Sequence, residues 1–351
     1  MARPDRYYRS SLIESDPTAG SCRPLRWGIV GPGNVAQLVC DDLALIPAAV
    51  MAAVSGQRRE RAEQFATRNG IPRVYDDHVQ LVADPSIDVV YIASPHASHY
   101  QVVRDALLAG KHVLCEKPFT LTQDAAIQLF ALAAERSLFM MEAIWSRFLP
   151  ATQMVLAPIV AGSLGEVRWA HADLGFPFPG GDAPKWDPAE GGGALSEIGA
   201  YTVGWAQLLL GDDAVATDAS AMITERGVDG MTVANFTHGD AVVRTVSAID
   251  RNTPGTLIIA GTEGHIRIAQ DQHNAREVEV FVGGDFQSLS TPRVGRGYSY
   301  ELREVTDCIA DGRTESDLMP ASDSIGLVTL MERARQLTGL TLAPGVDHGA
   351  M

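Results

Sequence analysis

The sequence predicts a two-domain α/β protein: a doubly wound parallel sheet, followed by an α+β domain with a mostly antiparallel, open-faced sheet. Three observations carry this. Short runs that are apolar throughout alternate with amphipathic stretches over residues 25–144, the pattern of a parallel sheet covered on both faces. Past residue 145 the texture changes to alternating runs joined by tight-turn signals, THGD and GTEG among them. The chain, at 351 residues, is also too long for one small core.

RWGIV opens the first domain as a strand. NVAQLVCDDLALI follows with Val35, Leu38, Val39, Asp42 and Ile46 at helical spacing and stops at Pro47. VMAAV is a second strand, RRERAEQFATRNG a helix closed by Gly70, RVY a third strand and DHVQLVAD a short helix. DVVYIAS, a helix over ASHYQVVRDALLAGK, HVLCE, a helix from Thr122 to about Arg136 and LFMMEA complete the unit. Residues 145–341 then supply one helix, GALSEIGAYTVGWAQLLL, before the runs ASAMITE, MTVANFTHGDAVVRTVSAI, GTLIIAGTEGHIRIA and EVEVFVG. Two closing helices span roughly Ser299 to Asp311 and Ser324 to Leu337. Residues 1–24 have no apolar segment of a secretory signal and read as a loose arm; residues 342–351 read as a frayed tail.

Composition narrows the function classes. The net charge is -15, so a nucleic acid or an anionic membrane is a poor partner. The apolar runs are strand-sized, too short to cross a bilayer. Cys22, Cys40, Cys115 and Cys308 are scattered without metal-ligand spacing, as expected of reduced thiols in a cytoplasmic protein, and no metal is implied.

Between the first strand and first helix stands GPGNVA, the G-x-G-x-x-G/A fingerprint of a Rossmann dinucleotide site. Gly31 makes the turn, Gly33 admits a pyrophosphate, and Asn34, Val35 and Ala36 open the helix whose N-terminus faces it. At the end of the second strand an NAD site usually places an acid. This chain has Ser55, Gly56, Gln57, Arg58 and Arg59, which favours the 2′-phosphate of NADP, with NAD the alternative. Ser94, Pro95, His96 and His99 follow the fourth strand and so border the same crevice.

The fifth strand ends in CEKP over that crevice, placing Glu116 and Lys117 at the cofactor rim. Glu-Lys-Pro there, with GPGNVA before it, resembles the glucose–fructose oxidoreductase/inositol dehydrogenase family over nearly the whole chain. MEAIWSRFLP, WDPAEGGGALSEIGAY and YSYELREV resemble more narrowly its dihydrodiol dehydrogenase and NADP-dependent xylose dehydrogenase subgroup. The resemblance implies that Lys117 and Tyr201 form the catalytic pair. It also implies cofactor-proximal roles for Trp145 and Arg147. Trp186 could rim the substrate pocket. Glu197, where the family usually has aspartate, lies four residues before Tyr201 on one helix face and could hold a substrate hydroxyl. An ammonium beside a phenol favours the phenolate, so Lys117 is expected to lower the pKa of Tyr201 and make it the proton acceptor.

The function expected is hydride transfer between NADP(H) and a hydroxyl-bearing carbon of a sugar, polyol or dihydrodiol. Two rivals share the architecture: a dinucleotide- or sugar-sensing regulator without turnover, and an NAD-dependent redox-assisted glycosidase. The second domain's open sheet face predicts a homodimer or higher homo-oligomer.

Overall fold

The computed structural model describes residues 4–19, 24–180 and 184–346. Cys22 and residues 347–351 of the expected tail lie outside them. The first domain runs β1 (Leu25–Val30), α1 (Asn34–Leu43), β2 (Ala49–Ser55), α2 (Arg59–Asn69), β3 (Arg73–Tyr75), α3 (His78–Ala83), β4 (Val89–Ile92), α4 (His99–Leu108), β5 (His112–Glu116), α5 (Gln123–Glu135) and β6 (Met140–Ala143). Its strands are all parallel in the order β3-β2-β1-β4-β5-β6. The order reverses between β1 and β4, so a crevice opens above their carboxyl ends. Strand interiors such as Ile29, Val90, Tyr91 and Leu114 are fully buried because helices cover both faces.

The second domain contains α6 (Pro150–Val160), β7 (Val167–Gly175), α7 (Ala194–Leu210), β8 (Val215–Ile223), β9 (Asp229–His238), β10 (Ala241–Ala248), β11 (Leu257–Gly261), β12 (Gly264–Ile268), β13 (Glu277–Val282), β14 (Asp285–Ser290), α8 (Ser299–Ala310) and α9 (Ala321–Thr338). Its eight strands lie in the order β14-β13-β12-β11-β7-β10-β9-β8. Only β7 and β10 pair in parallel; the other neighbours are antiparallel. Helix α7 packs on one face, against β7, β9 and β10. Ala170 and Ala172 point into that packing, which leaves Trp169 (42% exposed) and His171 on the opposite face.

Sequence periodicity missed two elements. Proline at both 150 and 158 disguises α6, yet Pro150 sits in the first turn, where no amide hydrogen is required. Strand β14 is exposed at nearly every position and so lacks an apolar alternation.

The described residues of the N-terminal arm, 4–19, are packed rather than loose. Pro4–Tyr7 and Ser10–Leu12 form 3-10 turns against α6, and Tyr7 is 2% exposed. The guanidinium groups of Arg6 and Arg147 lie over its ring, 4.5 and 5.1 Å from its centroid. Both arginines converge on Asp323, at 2.6 and 2.5 Å. The carboxylate of Asp323 is fully buried and the Arg147 side chain is 3% exposed.

Asp42, which sequence spacing placed in the apolar stripe of α1, is buried for a different reason. Its carboxylate accepts hydrogen bonds from the backbone amides of Arg296, Gly297 and Ser299 at 2.8–3.0 Å, so a residue of the first domain caps α8 of the second.

Removing Asp323 would strand a buried guanidinium. Asp323→Ala is therefore expected to destabilise the protein by about 3–5 kcal/mol. Urea denaturation monitored by tryptophan fluorescence measures it, and an unchanged midpoint would contradict this account of the arm and Arg147.

Candidate active site

The dinucleotide crevice is built on the β1–α1 turn. Gly31 has φ 90°, and a Cβ there would lie 2.6 Å from the Ala93 carbonyl oxygen and 2.9 Å from the Ser94 amide nitrogen. Glycine is thus required where β1 and β4 converge. Gly33 starts α1 with no side-chain cap, leaving the helix N-terminus available to an anion. Ala36 is fully buried while Val35 is 38% exposed. At the end of β2, Ser55 is buried with its Oγ lacking a partner, and a Cβ on Gly56 would meet Pro32 at 2.7 Å. A close backbone cradle, an uncapped helix start and an orphaned buried hydroxyl fit a dinucleotide. Arg59 is held by Glu63 and Asp76, both at 2.8 Å, whereas Arg58 is exposed and has no ion-pair partner among the described residues.

The residues after β4 divide. Ser94 adjoins Gly31 and its Oγ accepts from Ser98 at 2.7 Å. Pro95 is exposed beside it. His96 faces the second domain, its Nδ1 3.3 Å from the Gly191 carbonyl and its Nε2 3.6 Å from Glu197 Oε1. Burial brings its pKa down to about 4, so this imidazole is neutral. His99 is fully buried, its two nitrogens each 2.9 Å from a backbone carbonyl, of Pro118 and of Ser94. It braces the Lys117–Pro118 segment; no ring nitrogen is left for a cofactor.

Lys117 projects from the end of β5 across to α7. Its Nζ donates to the Glu197 carbonyl oxygen at 2.6 Å and lies 5.3 Å from the ring centroid of Tyr201. The expected pair therefore meets, but not in the expected electrostatic sense. Burial pushes the Tyr201 phenol well above its ordinary pKa, and the neighbouring Tyr298 and Glu116 push the same way, against a hydrogen bond donated by Trp145 Nε1 at 3.0 Å. Lys117 approaches the ring face rather than the hydroxyl. Burial also lowers the Lys117 pKa; Glu197 opposes this and Lys185 adds to it. The expectation of an acidified phenol is corrected: Tyr201 keeps its proton more firmly than Lys117 does.

Glu197 occupies the same face of α7 as Tyr201. Burial alone would raise its pKa, but His96, Lys117 and Lys185 bring it down to about 2, so it is ionised. Lys185, which sequence reasoning passed over, reaches Glu197 Oε2 at 2.6 Å from the 3-10 turn Pro184–Trp186. A lone lysine in a loop carries no sequence signal; only the fold brings it to the helix. His273 was missed for the same reason. Its ring lies 5.3 Å from that of Tyr201, and its buried Nδ1 has no partner. Phe176, Phe178 and Trp186 pack with Tyr201 in one apolar cluster beside α7.

Two other residues have different partners from those expected. Glu116 is buried and accepts from the Tyr91 hydroxyl at 2.8 Å, facing the seam between domains. Arg147 donates to Asp323, Gln207 and the Leu318 carbonyl, so its guanidinium braces the second domain and the arm. Trp145, two residues earlier, is the one that reaches Tyr201, with the Tyr298 ring tilted against it at 4.8 Å.

A nucleotide-binding first domain whose crevice is closed by a lysine, a tyrosine and a carboxylate, two of them on a helix of the second domain, defines a dinucleotide-dependent oxidoreductase. Residues 25–143 match the oxidoreductase family with an NAD-binding Rossmann fold, and residues 153–267 match the GFO/IDH/MocA C-terminal domain. The chain belongs to this family of NAD(P)-dependent oxidoreductases. It is 33% identical to trans-1,2-dihydrobenzene-1,2-diol dehydrogenase of Mus musculus, over 90% of this chain and 98% of that one. It is 30% identical to D-xylose 1-dehydrogenase (NADP(+)) of Hypocrea jecorina, over 92% of this chain and 94% of that one. In fold it is similar to a 3-ketoreductase from Actinomadura kijaniata solved with NADP and TDP-benzene, with a TM-score of 0.83, 24% identity and coverage of 90% and 98%.

Beneath the Lys117 segment lies Glu142, fully buried, whose Oε1 accepts from the Phe119 amide at 2.9 Å. Burial raises its pKa from 4.5 to about 7, with Phe119 and then Arg147 among the opposing influences. Because the folded value exceeds the unfolded one, ionisation weakens the folded state: the penalty is absent below the unfolded value and complete above the folded one. Between pH 5 and 8 the native protein should lose about 2.5 kcal/mol relative to Glu142→Gln. Urea midpoints of both proteins at the two pH values measure this; parallel pH profiles would refute it.

Proposed function

We propose that the protein transfers a hydride between NADP(H) and a hydroxyl-bearing carbon of a sugar, polyol or dihydrodiol. The observation that carries this is the convergence of Lys117 Nζ, the Tyr201 ring and Glu197 at the crevice that begins with Gly31. The curated relatives, a dihydrodiol dehydrogenase and an NADP-dependent xylose dehydrogenase, support the substrate class. NADP is preferred to NAD because the exposed Arg58 stands where an acid would otherwise meet the ribose.

When bound, the dinucleotide supplies the hydride acceptor or donor. The chain's own residues handle the proton. In the oxidising direction the substrate hydroxyl proton passes to the Lys117 amine while the carbon–oxygen double bond forms. Tyr201 donates a hydrogen bond to that oxygen. In the reducing direction the Lys117 ammonium returns the proton. Glu197 holds Lys117 through its carbonyl, and the aromatic wall of Phe176, Phe178 and Trp186 keeps water away from one side. No described helix is long and apolar enough to cross a membrane, and the described Cys40, Cys115 and Cys308 are free and buried, in keeping with a cytoplasmic enzyme.

A screen following reduced-nicotinamide absorbance, with NADP and NAD separately against aldoses, polyols and dihydrodiols, tests the reading. Lys117→Met and Tyr201→Phe are each expected to lower kcat by about 10²–10⁴-fold with NADP affinity retained. Near-native turnover in both variants would remove them from the mechanism.

We also propose that the open sheet face joins two copies. It carries Trp169 stacked on His171 at 6.3 Å, and Phe281 stacked on His265 at 4.4 Å with Phe286 tilted against it at 4.8 Å. Phe286 is 57% exposed. An aromatic band of this kind is better buried than wet. The native protein should sediment as a dimer at micromolar concentration and Trp169→Glu as a monomer; a monomeric native protein would refute the interface.

A further inference from the structure

We propose that Arg276 and Arg293 form a binding site for a phosphate group, outside the dinucleotide crevice and beside the turn that carries His273.

The two arginines meet where the pairing of β13 with β14 ends. The ladder sets Glu277 opposite Ser290. It runs on by one step, because the Thr291 amide donates to the Arg276 carbonyl at 3.1 Å. Beyond that the Arg293 guanidinium donates to Asn274 Oδ1, so the turn before β13 and the loop before α8 stay side by side. Arg276 and Arg293 are then diagonal neighbours. That relation separates residues by about 7–8 Å, within which two long side chains reach a common point.

Their charge is uncompensated. Among the described residues neither guanidinium has a carboxylate at ion-pair distance. The acids around this corner are already engaged. Asp42 takes the amides of Arg296, Gly297 and Ser299, Asp41 takes the Arg296 guanidinium at 3.0 Å, and Asp16 takes the amide and hydroxyl of Thr18. Arg293 Nε is buried with no hydrogen-bond partner, and a buried donor of this kind lacks its acceptor at a cost. Burial and then the Arg276 charge hold the Arg293 pKa below its ordinary value, against Asp42. Arg276 is exposed, so the corner is open to solvent. Two guanidinium forks suit a tetrahedral dianion, whose oxygens accept paired N–H bonds.

This corner is separate from the cofactor's own phosphates. A pyrophosphate belongs at the start of α1, whereas the loop that carries Arg293 is fastened to Asp42, about 12 Å further along that helix. The position also bears on catalysis. The same turn presents His273 to the Tyr201 ring at 5.3 Å, and the same loop holds Gly297 against Trp145. A phosphate clamping turn to loop would fix both.

The test is calorimetric titration of inorganic phosphate into the NADP-loaded protein, with chloride at equal ionic strength as the control. The native protein should bind phosphate saturably while keeping NADP, and chloride should give no such binding. Arg293→Met should weaken phosphate by about tenfold or more, and so should Arg276→Met, whose exposed position spares the fold. Arg276→Glu should abolish binding, with NADP affinity native in all three. Glucose 6-phosphate, scored by the part of its binding that Arg276→Met removes, separates two sources. Tighter binding than phosphate assigns the site to a sugar ester, and equal or weaker binding assigns it to the free ion. No saturable phosphate binding, native phosphate affinity in both Met variants, or phosphate that displaces NADP would each overturn the proposal.

Discussion

The rest of the structure depends on keeping the Lys117 ammonium in place after most of its water has gone. A cation so enclosed destabilises the fold unless fixed dipoles or charges replace its hydration. The Glu197 carbonyl, the Glu197 carboxylate beyond it and the face of Tyr201 supply that replacement. All of them belong to α7. The amine that completes the nucleotide crevice is thus compensated from the other domain, and the site exists only when the two domains are in register.

That register is held by carboxylates. Asp42 reaches out of α1 to cap α8, and Glu332 of α9 accepts from the Gln123 amide at the start of α5. Asp323, at the head of α9, gathers Arg147 and the N-terminal arm. Each contact joins a group near the nucleotide domain to one of the last two helices. Gly297 belongs to the same system: at φ 110° a Cβ would lie 2.8 Å from the Trp145 indole, the ring that in turn donates to Tyr201. The closing loop before α8 thereby helps set the position of the Tyr201 phenol through Trp145.

The first domain was legible because its rules are local. Apolar runs, a glycine fingerprint and helix stops such as Gly70 each announce themselves within a dozen residues. The shared face of Glu197 and Tyr201 was legible from their spacing on one helix, but their convergence with Lys117 was legible only through family resemblance, since Lys117 follows β5 in the other domain. Asp42 and Arg147 show where local reading ends. Each is a charged residue buried by a partner more than 150 positions away, and nothing near either one names that partner. Lys185 and His273 are the same case at the site itself. The arm failed for the converse reason: PDRYY looks disordered until a guanidinium from α6's approach closes over Tyr7.

Burial acts oppositely on an acid that becomes an anion and on a base that becomes a cation, and this fixes the division of labour at the site. The phenol of Tyr201 starts from 10.0 and rises well above it, while the ammonium of Lys117 starts from 10.5 and falls. Because the phenol rises well above its starting value while the amine falls below its own, the amine gives up its proton before the phenol does. Trp145 Nε1 pointing at the phenol oxygen is consistent with this, because that bond occupies an acceptor lone pair and leaves the O–H to donate onward. In the proposed mechanism the lysine accordingly exchanges the proton, and the tyrosine holds the oxygen between which and the lysine that proton moves. A phenol chosen from the sequence as the base is turned by its surroundings into the fixed donor.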